Sequence, residues 1–320
     1  MKLQTEIPLS PEENQIDYSS KVLLLGSCFS ENIGAKFDFF KFQNLQNPFG
    51  VIFNPVSIEK LVVRAIENKR FSQEDIFEHN GIWKCFETHS ELSTLDEDKL
   101  LINLNAALQN LREALFTSTH IIFTFGTSWI YRNVENGEIV ANCHKLPQQK
   151  FTKELLSIAD ISRSIQNVFT AISAINPNVT FINTVSPVRH IKDGFAENTL
   201  SKAHLIAAIH NLKNEQSTGV NSQSFYFPSF EIMMDELRDY RFYAEDLLHP
   251  NKTAVEIIWQ KFSNVWISSE TDSIQKEIAS IQNGLNHRPF NPESADHLQF
   301  LEKLQQKITF LKKQHPHIRF

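Results

Sequence analysis

Ser27 is a residue whose place in the chain fits a nucleophile. It follows the apolar run KVLLL (21–25) and Gly26, and residues 28–39 have helical periodicity. The hydroxyl should therefore lie at a strand end, with the backbone N–H among the unpaired donors of a helix N-terminus. Such donors can hold the oxyanion that forms when a serine attacks a carbonyl. A helix-capping serine without chemistry is the alternative.

Asp246 and His249 are candidates for the acid and base that would activate such a serine. They are three residues apart, close enough in a turn for the carboxylate to orient an imidazole N–H. Pro250 then begins a predicted helix, which leaves His249 on the loop at its start. A general base needs a pKa near neutrality and a fixed tautomer, and an Asp–His pair provides both. With Ser27 the pair would complete a triad, whereas an ordinary surface ion pair is the alternative.

The segment IIFTFGTSWIY repeats the order of strand, glycine and hydroxyl residue. Thr127 and Ser128 follow Gly126 there, so Ser128 is a rival nucleophile. A nucleophile elbow, however, needs a glycine at the position of Ile130. We therefore interpret Ser128 as a donor on the oxyanion or substrate side.

Basic residues follow another predicted strand. Arg189 and His190 lie at its end and Lys202 on the next helix, where together they could bind an anionic or polyhydroxylated group. A solvated loop with ordinary surface charges is the alternative. The candidate substrate-binding residues are Thr127, His144, Arg189, His190 and Lys202.

Short apolar strands alternate with helical segments in the part of the chain that carries these residues. The predicted strands are 21–25, 121–125, 179–185 and 224–227, and the predicted helices are 28–39, 57–69, 98–116, 153–175, 198–213 and 251–266. This alternation predicts an α/β fold with a mostly parallel sheet. Asn136-Gly137 predicts a tight hairpin, with which residues 81–87 could pair.

The chain divides by pattern into two parts. Residues 1–266 form the α/β domain, with a helical and β insertion around 55–118, and residues 267–320 form a helical extension. The last predicted helix has an apolar seam at Leu298, Leu301, Leu304, Ile308 and Leu311, which would pack on the domain or on a second copy in a homodimer.

Composition narrows the class of protein. The 320 residues have a formal net charge of −6 and the basic residues are spread out, which argues against nucleic acid as a partner. The three cysteines have neither disulfide nor zinc-ribbon spacing, and we expect no metal and no cofactor. The sequence offers neither an apolar leader nor an apolar run of membrane-spanning length, so we expect no membrane partner and a cytoplasmic location.

Several motifs together resemble those of the GSCFA family, within the wider SGNH (GDSL-type) hydrolases. They are GSCFS (26–30), NPFGVIFNP (47–55), FETHS (86–90), FGTSWIYR (125–132), NCHKLP (142–147), SPVRH (186–190) and DLLHPN (246–251). The resemblance implies a flavodoxin-like α/β/α sandwich and the hydrolysis or transfer of an ester-linked acyl group. Small-molecule or glycan esters would be the substrates.

The resemblance also assigns roles by position. Ser27 matches the nucleophile, Asp246 and His249 match the DxxH pair, and Gly50 matches the glycine whose N–H enters the oxyanion hole. Ser128 stands where the superfamily has an asparagine donor, so either Ser128 or Asn142 would substitute for it. Gly26 replaces the acid of the GDS motif, and Ser30 replaces the alanine of the GSCFA signature.

Competing interpretations stay open at this point. Cys28 adjoins Ser27, but its side chain should point about 100° around the helix axis. Cys143 and His144 are neighbours in a probable strand and so face opposite sides. A metal site from His79, Cys85, His89 and His144 lacks supporting spacing. The functional alternatives to an esterase are an acyltransferase with the same triad and an inactive binding protein with this fold.

Overall fold

The computed structural model describes residues 4–215 and 223–320. Its strands there are β1 (Lys21–Gly26), β2 (Gln43–Gln46), β3 (Ile76–His79), β4 (Ile82–Cys85), β5 (His120–Phe125), β6 (Trp129–Asn133), β7 (Ile139–Val140), β8 (Phe151–Leu155), β9 (Thr180–Val185) and β10 (Gln223–Tyr226). Its helices there are α1 (Cys28–Phe39), α2 (Pro55–Ile66), α3 (Glu97–Thr117), α4 (Ile158–Ile175), α5 (Phe195–Glu215), α6 (Ser229–Glu231), α7 (Lys252–Trp266), α8 (Asp272–Asn286) and α9 (Ala295–Gln314).

The central sheet has five parallel strands in the order β2-β1-β5-β9-β10. Counted within this sheet alone, the order is 2-1-3-4-5, which is the flavodoxin-like arrangement. The predicted α/β fold with a mostly parallel sheet is therefore confirmed. In such sheets, ligands bind beyond the carboxyl ends of the strands, at the point where the strand order reverses. Here that point lies between β1 and β5, at the edge of the sheet formed by the carboxyl ends of its strands.

Helices cover both faces of this sheet. Leu23 and Leu25 of β1 pack in a core with residues of α2, α3, α4 and α5. Val22 and Leu24, which point the other way, pack in a second core with residues of α1, α7, α8 and α9. Burial on both faces explains why KVLLL is continuously apolar instead of alternating.

Two small antiparallel sheets accompany the main one. The Asn136-Gly137 hairpin is confirmed, since β6 pairs with β7 and Gly137 has a φ of 73°. Strand β4 forms its ladder with β3, and the suggested pairing of residues 81–87 with this hairpin is reduced to Phe86, whose carbonyl oxygen accepts the N–H of Ala141 over 2.8 Å. The predicted helix 153–175 is also shorter, because its first residues belong to β8, which pairs with β6.

The C-terminal helices pack on the chain's own second core. Leu304, Ile308 and Leu311 of α9 are buried there together with Ile278 and Ile281 of α8. Leu298 and Leu301, at the start of the predicted seam, stay partly exposed. Most of the seam therefore contacts this chain, and a homodimer through α9 stays a prediction, as does the domain boundary at 266.

Candidate active site

Ser27 lies in the turn between β1 and α1, at the edge where the strand order reverses. Its N–H donates to the carbonyl oxygen of Thr124 on β5 over 2.9 Å. A Cβ at Gly26 would lie 2.2 Å from that same oxygen, and the φ of Gly26 is +143°. Only glycine fits this approach of β1 to β5, so Gly26 fixes where Ser27 lies.

The side chain of Ser27 caps α1. Its Oγ accepts the N–H of Phe29 over 3.3 Å, and the residue is 2% exposed. This cap uses a lone pair and leaves the hydroxyl proton available to a base. The capping role therefore exists in the structure, and it is compatible with a nucleophilic role.

The Asp246–His249 pair is formed. Asp246 Oδ2 lies 2.5 Å from His249 Nδ1, and Oδ1 accepts the N–H groups of Leu248 and His249 over 2.9 and 3.0 Å. The two backbone N–H groups and the imidazole lower the pKa of Asp246 to about 2. The carboxylate is therefore ionised at neutral pH and holds Nδ1, which leaves Nε2 of His249 as the nitrogen for other chemistry.

His190 lies at the ends of β5 and β9. A Cβ on Gly126, directly after β5, would lie 3.3 Å from His190 Nε2, and the ring of Phe53 is 5.4 Å away. Nε2 is buried and lacks a hydrogen-bond partner. Burial lowers the pKa of His190 to about 4, with the charges of Lys202 and His249 adding to the effect, so this imidazole is neutral.

Lys202 is buried near the carboxyl end of β9, at the same edge of the sheet. It is 1% exposed, and its Nζ donates to the carbonyl oxygen of Ser186 over 2.8 Å. Burial lowers its pKa to about 7; the Cys28 thiol opposes this shift and the charge of Arg189 adds to it. Lys202 is thus a buried amine that is only partly protonated at neutral pH, and it lies near Cys28 at the start of α1 and Arg189 in the β9–α5 loop. Its contact with a substrate stays a prediction.

Thr127 and Ser128 use their polar groups to bind α5. Ser128 donates its N–H to Ser201 Oγ and its hydroxyl to Ser201 O, both over 2.7 Å. Thr127 Oγ1 lies 3.0 Å from Ser201 Oγ. Both residues are buried and connect the β5–β6 turn to α5, and these hydrogen bonds occupy the donors of Ser128. The oxyanion role of Ser128 and the substrate contact of Thr127 stay predictions.

The other predicted donors lie in turns. The N–H of Gly50 donates to Asn47 O over 2.7 Å. Asn142 Oδ1 accepts the N–H of His144 over 2.7 Å. His144 Nε2 lies 2.7 Å from the carbonyl oxygen of Cys85, and its ring contacts Phe77 and Phe86. The contacts of His144 are thus with the β3–β4 hairpin, and its substrate role stays a prediction.

Asn47 is a residue that the sequence argument did not assign. Its Oδ1 accepts the N–H of Gly26 over 2.9 Å, so its side chain lies next to the candidate nucleophile. Its Nδ2 is buried without a hydrogen-bond partner, and the residue as a whole is 9% exposed. The sequence could have indicated Asn47, because this residue begins the motif NPFG (47–50) that also contains Gly50.

The thiols of Cys28 and Cys143 are poor candidates for a nucleophile, and the described residues form no cluster of metal ligands. Burial, with the charge of Glu31, raises the pKa of the Cys28 thiol, and burial raises that of Cys143 to about 11. Both thiols are therefore protonated and weakly nucleophilic. Within residues 4–215 and 223–320, no three His, Cys, Asp or Glu side chains lie together as metal ligands would.

The parallel sheet and the polar residues at its reversal point place this protein among flavodoxin-like α/β sandwiches. The chain belongs to the GSCFA family, whose match covers residues 21–262. Residues 278–320 match a second family, described as the C-terminal domain of GSCFA domain proteins. The resemblance to the GSCFA family is thus confirmed.

Other comparisons are distant. A crystal structure of a carbohydrate esterase family 3 from Talaromyces cellulolyticus aligns with a TM-score of 0.36 and 10% identity, covering 81% of this chain and 99% of that chain. No curated protein sequence matches the chain. In the part of the chain that the structure describes, each helix is too short or too polar to cross a bilayer.

Proposed function

We propose that this protein is a serine hydrolase of the SGNH type that cleaves an O-acyl ester. Ser27 is the nucleophile, His249 the general base and Asp246 the residue that orients it. The observation that carries the proposal is the Asp246–His249 pair, with Nδ1 held at 2.5 Å and Nε2 left for a proton. It combines with a serine at the switch point of a flavodoxin-like sheet.

In the proposed reaction, His249 Nε2 takes the proton of the Ser27 hydroxyl as Oγ bonds to the ester carbonyl carbon. The tetrahedral intermediate collapses, its bond to the alcohol oxygen breaks, and His249 returns the proton to the leaving alcohol. Water then attacks the acyl-enzyme in the same way and releases the carboxylic acid. Asp246 stays ionised throughout and stabilises the imidazolium.

The oxyanion needs donors near Ser27. The N–H groups of Ser27 and Gly50 already donate to Thr124 and Asn47. We propose that Asn47 Nδ2 supplies the amide donor that the superfamily takes from an asparagine elsewhere. Its buried, unpartnered N–H groups next to Gly26 support this role. The positive end of the α1 dipole adds to the stabilisation.

A binding protein with the same fold is the second candidate. The observation in its favour is that Ser27 is buried and that its N–H and that of Gly50 are already hydrogen-bonded. An acyltransferase differs from the esterase only in the acceptor, since a substrate hydroxyl would replace water in the second step.

Hydrolysis of p-nitrophenyl acetate by the purified chain and its Ser27→Ala variant separates these candidates. The esterase proposal predicts release of p-nitrophenol that the substitution abolishes. Equal rates for both proteins support the binding protein instead. If a sugar alcohol is added to the assay as an acceptor, its acetylation identifies a transferase.

A further inference from the structure

A cleft lies directly beside the Asp246–His249 loop. Its volume is about 370 Å³, and Leu247 and Leu248, the two residues between Asp246 and His249, form part of its wall. A molecule in this cleft therefore lies next to the proposed general base.

The cleft has an apolar and aromatic wall. Phe195, Met234, Tyr240 and Tyr243 line it, and Tyr240 is 73% exposed. Volumes near this size accommodate small organic molecules, and ligand sites commonly combine apolar walls with a few polar groups. The charged residues of the lining are Arg189, Arg238 and Asp239.

Arg189 lines the cleft and forms no ion pair within the described residues, whereas Asp239, a carboxylate of the same lining, is paired with Arg241. Its hydrogen bond is a 3.2 Å contact with Met234 Sδ. Its charge reaches Tyr243, where it opposes the rise in pKa that burial causes, and it reaches Lys202. By contrast, Arg238, which also lines the cleft, is paired with Asp235 over 2.6 Å.

We infer that this cleft binds the alcohol part of the ester and that this alcohol carries a carboxylate, which pairs with Arg189. The inference rests on the proposed function. His249 returns its proton to the leaving oxygen, so the alcohol must depart on the side of His249, where the cleft lies. A guanidinium matches a carboxylate with two parallel hydrogen bonds, and a partly buried, unpaired one gains most from such a partner.

A matched pair of acetyl esters tests the inference. 4-Acetoxybenzoate carries a carboxylate on the alcohol side, and its methyl ester has nearly the same shape without the charge. The ratio of kcat/KM between the anionic and the neutral ester, divided by the same ratio for imidazole-catalysed hydrolysis in solution, should exceed one in the native protein. Arg189→Gln should lower this ratio by roughly tenfold or more, since a hydrogen bond to a charged group is removed.

Arg163→Gln is the control, because Arg163 lies on α4 outside the cleft lining and is paired over 3.2 Å with Asp160, which also lies outside it. This substitution should leave the ratio unchanged. An unchanged ratio in Arg189→Gln, or a ratio at or below one in the native protein, overturns the inference. Because both kcat/KM values fall equally when less protein is folded, their ratio is unaffected by a general loss of folded protein.

Binding separates this inference from the esterase proposal. Titration calorimetry on the Ser27→Ala variant should show tighter binding of 4-hydroxybenzoate than of its methyl ester. Adding Arg189→Gln to this variant should abolish the difference in affinity. Binding of this kind without hydrolysis of either ester refutes the esterase and keeps the anion subsite. Hydrolysis that depends on Ser27 but ignores the carboxylate keeps the esterase and refutes the subsite.

Discussion

His249 Nδ1 lies 2.5 Å from Asp246 Oδ2, and the same carboxylate accepts the backbone N–H of His249 through its other oxygen. The pair therefore holds both the ring and the backbone of His249. The carbonyl oxygen of His249 also accepts the N–H of Ala244 over 2.8 Å. The imidazole orientation is thus set within one short loop, even though both side chains are about half exposed.

Asp246→Asn should lower kcat for p-nitrophenyl acetate by roughly 10²- to 10⁴-fold, because the amide favours the wrong imidazole tautomer. Asp235→Asn is the control, since Asp235 is an exposed carboxylate paired with Arg238 in the segment before this loop. It should retain the native rate. Similar rates in the two variants would contradict the role given to Asp246.

The imidazole of His190 should stay neutral at physiological pH. Burial lowers the pKa of His190 to about 4, so its ring stays neutral from pH 5 to pH 8. NMR of the imidazole protons, with His190→Gln and His249→Gln used for assignment, should show the His190 signals moving only below about pH 5. A His190 midpoint near 6.5, the ordinary value, would show that the ring is not buried as described.

Lys202 should make stability depend on pH. Its pKa is about 7 in the folded chain against an ordinary 10.5. Between these values the unfolded chain binds more protons, so the free energy of unfolding rises with pH across that window. Below pH 7 both states are charged and the burial penalty is fully present.

Urea unfolding of the native protein and Lys202→Met at pH 6.5 and pH 9.5 measures this effect. The native protein should gain stability relative to the variant as the pH rises, by about 1.4 kcal/mol for each unit of pKa difference titrated. The pH-independent effects of the substitution cancel in this comparison. A constant difference between the two proteins would show that Lys202 has no lowered pKa.

Asn47→Asp tests the proposed amide donor. Aspartate keeps the oxygen that accepts the Gly26 N–H but replaces the unpartnered Nδ2 with a charge that repels an oxyanion. The loss of one such donor lowers kcat by roughly 10²- to 10³-fold, with little change in KM. Thermal unfolding of the variant checks that the β1–α1 turn persists. An unchanged kcat excludes Asn47 from the oxyanion hole.

The three inner strands β1, β5 and β9 could be predicted because burial on both faces gives a continuous apolar pattern, whereas the polar edge strand β2 was missed. KVLLL and IIFTF are continuous apolar runs, and the glycine after each marks a close approach of backbone or side chain at the strand end. Strand β8 was missed because FTKEL is polar and gains its place by pairing with β6. Local pattern does not contain that long-range partner.

Contacts within the candidate site could be predicted only between residues that are close in the sequence. The spacing of Asp246 and His249 was enough to predict their contact. Sequence could not show that Ser201, far along the chain, occupies the donors of Ser128. Nor could it show that Asn47 turns an unpartnered amide inward next to Gly26.

Reaction with a fluorophosphonate, followed by mass spectrometry of the labelled peptide, tests the serine nucleophile most directly. The native chain should gain one phosphonyl group on the peptide that contains Ser27, and Ser27→Ala should gain none. His249→Gln should react far more slowly, since the base is lost. Labelling that persists in Ser27→Ala, or a native chain that stays unlabelled under conditions that modify a known serine esterase, would contradict the proposed mechanism.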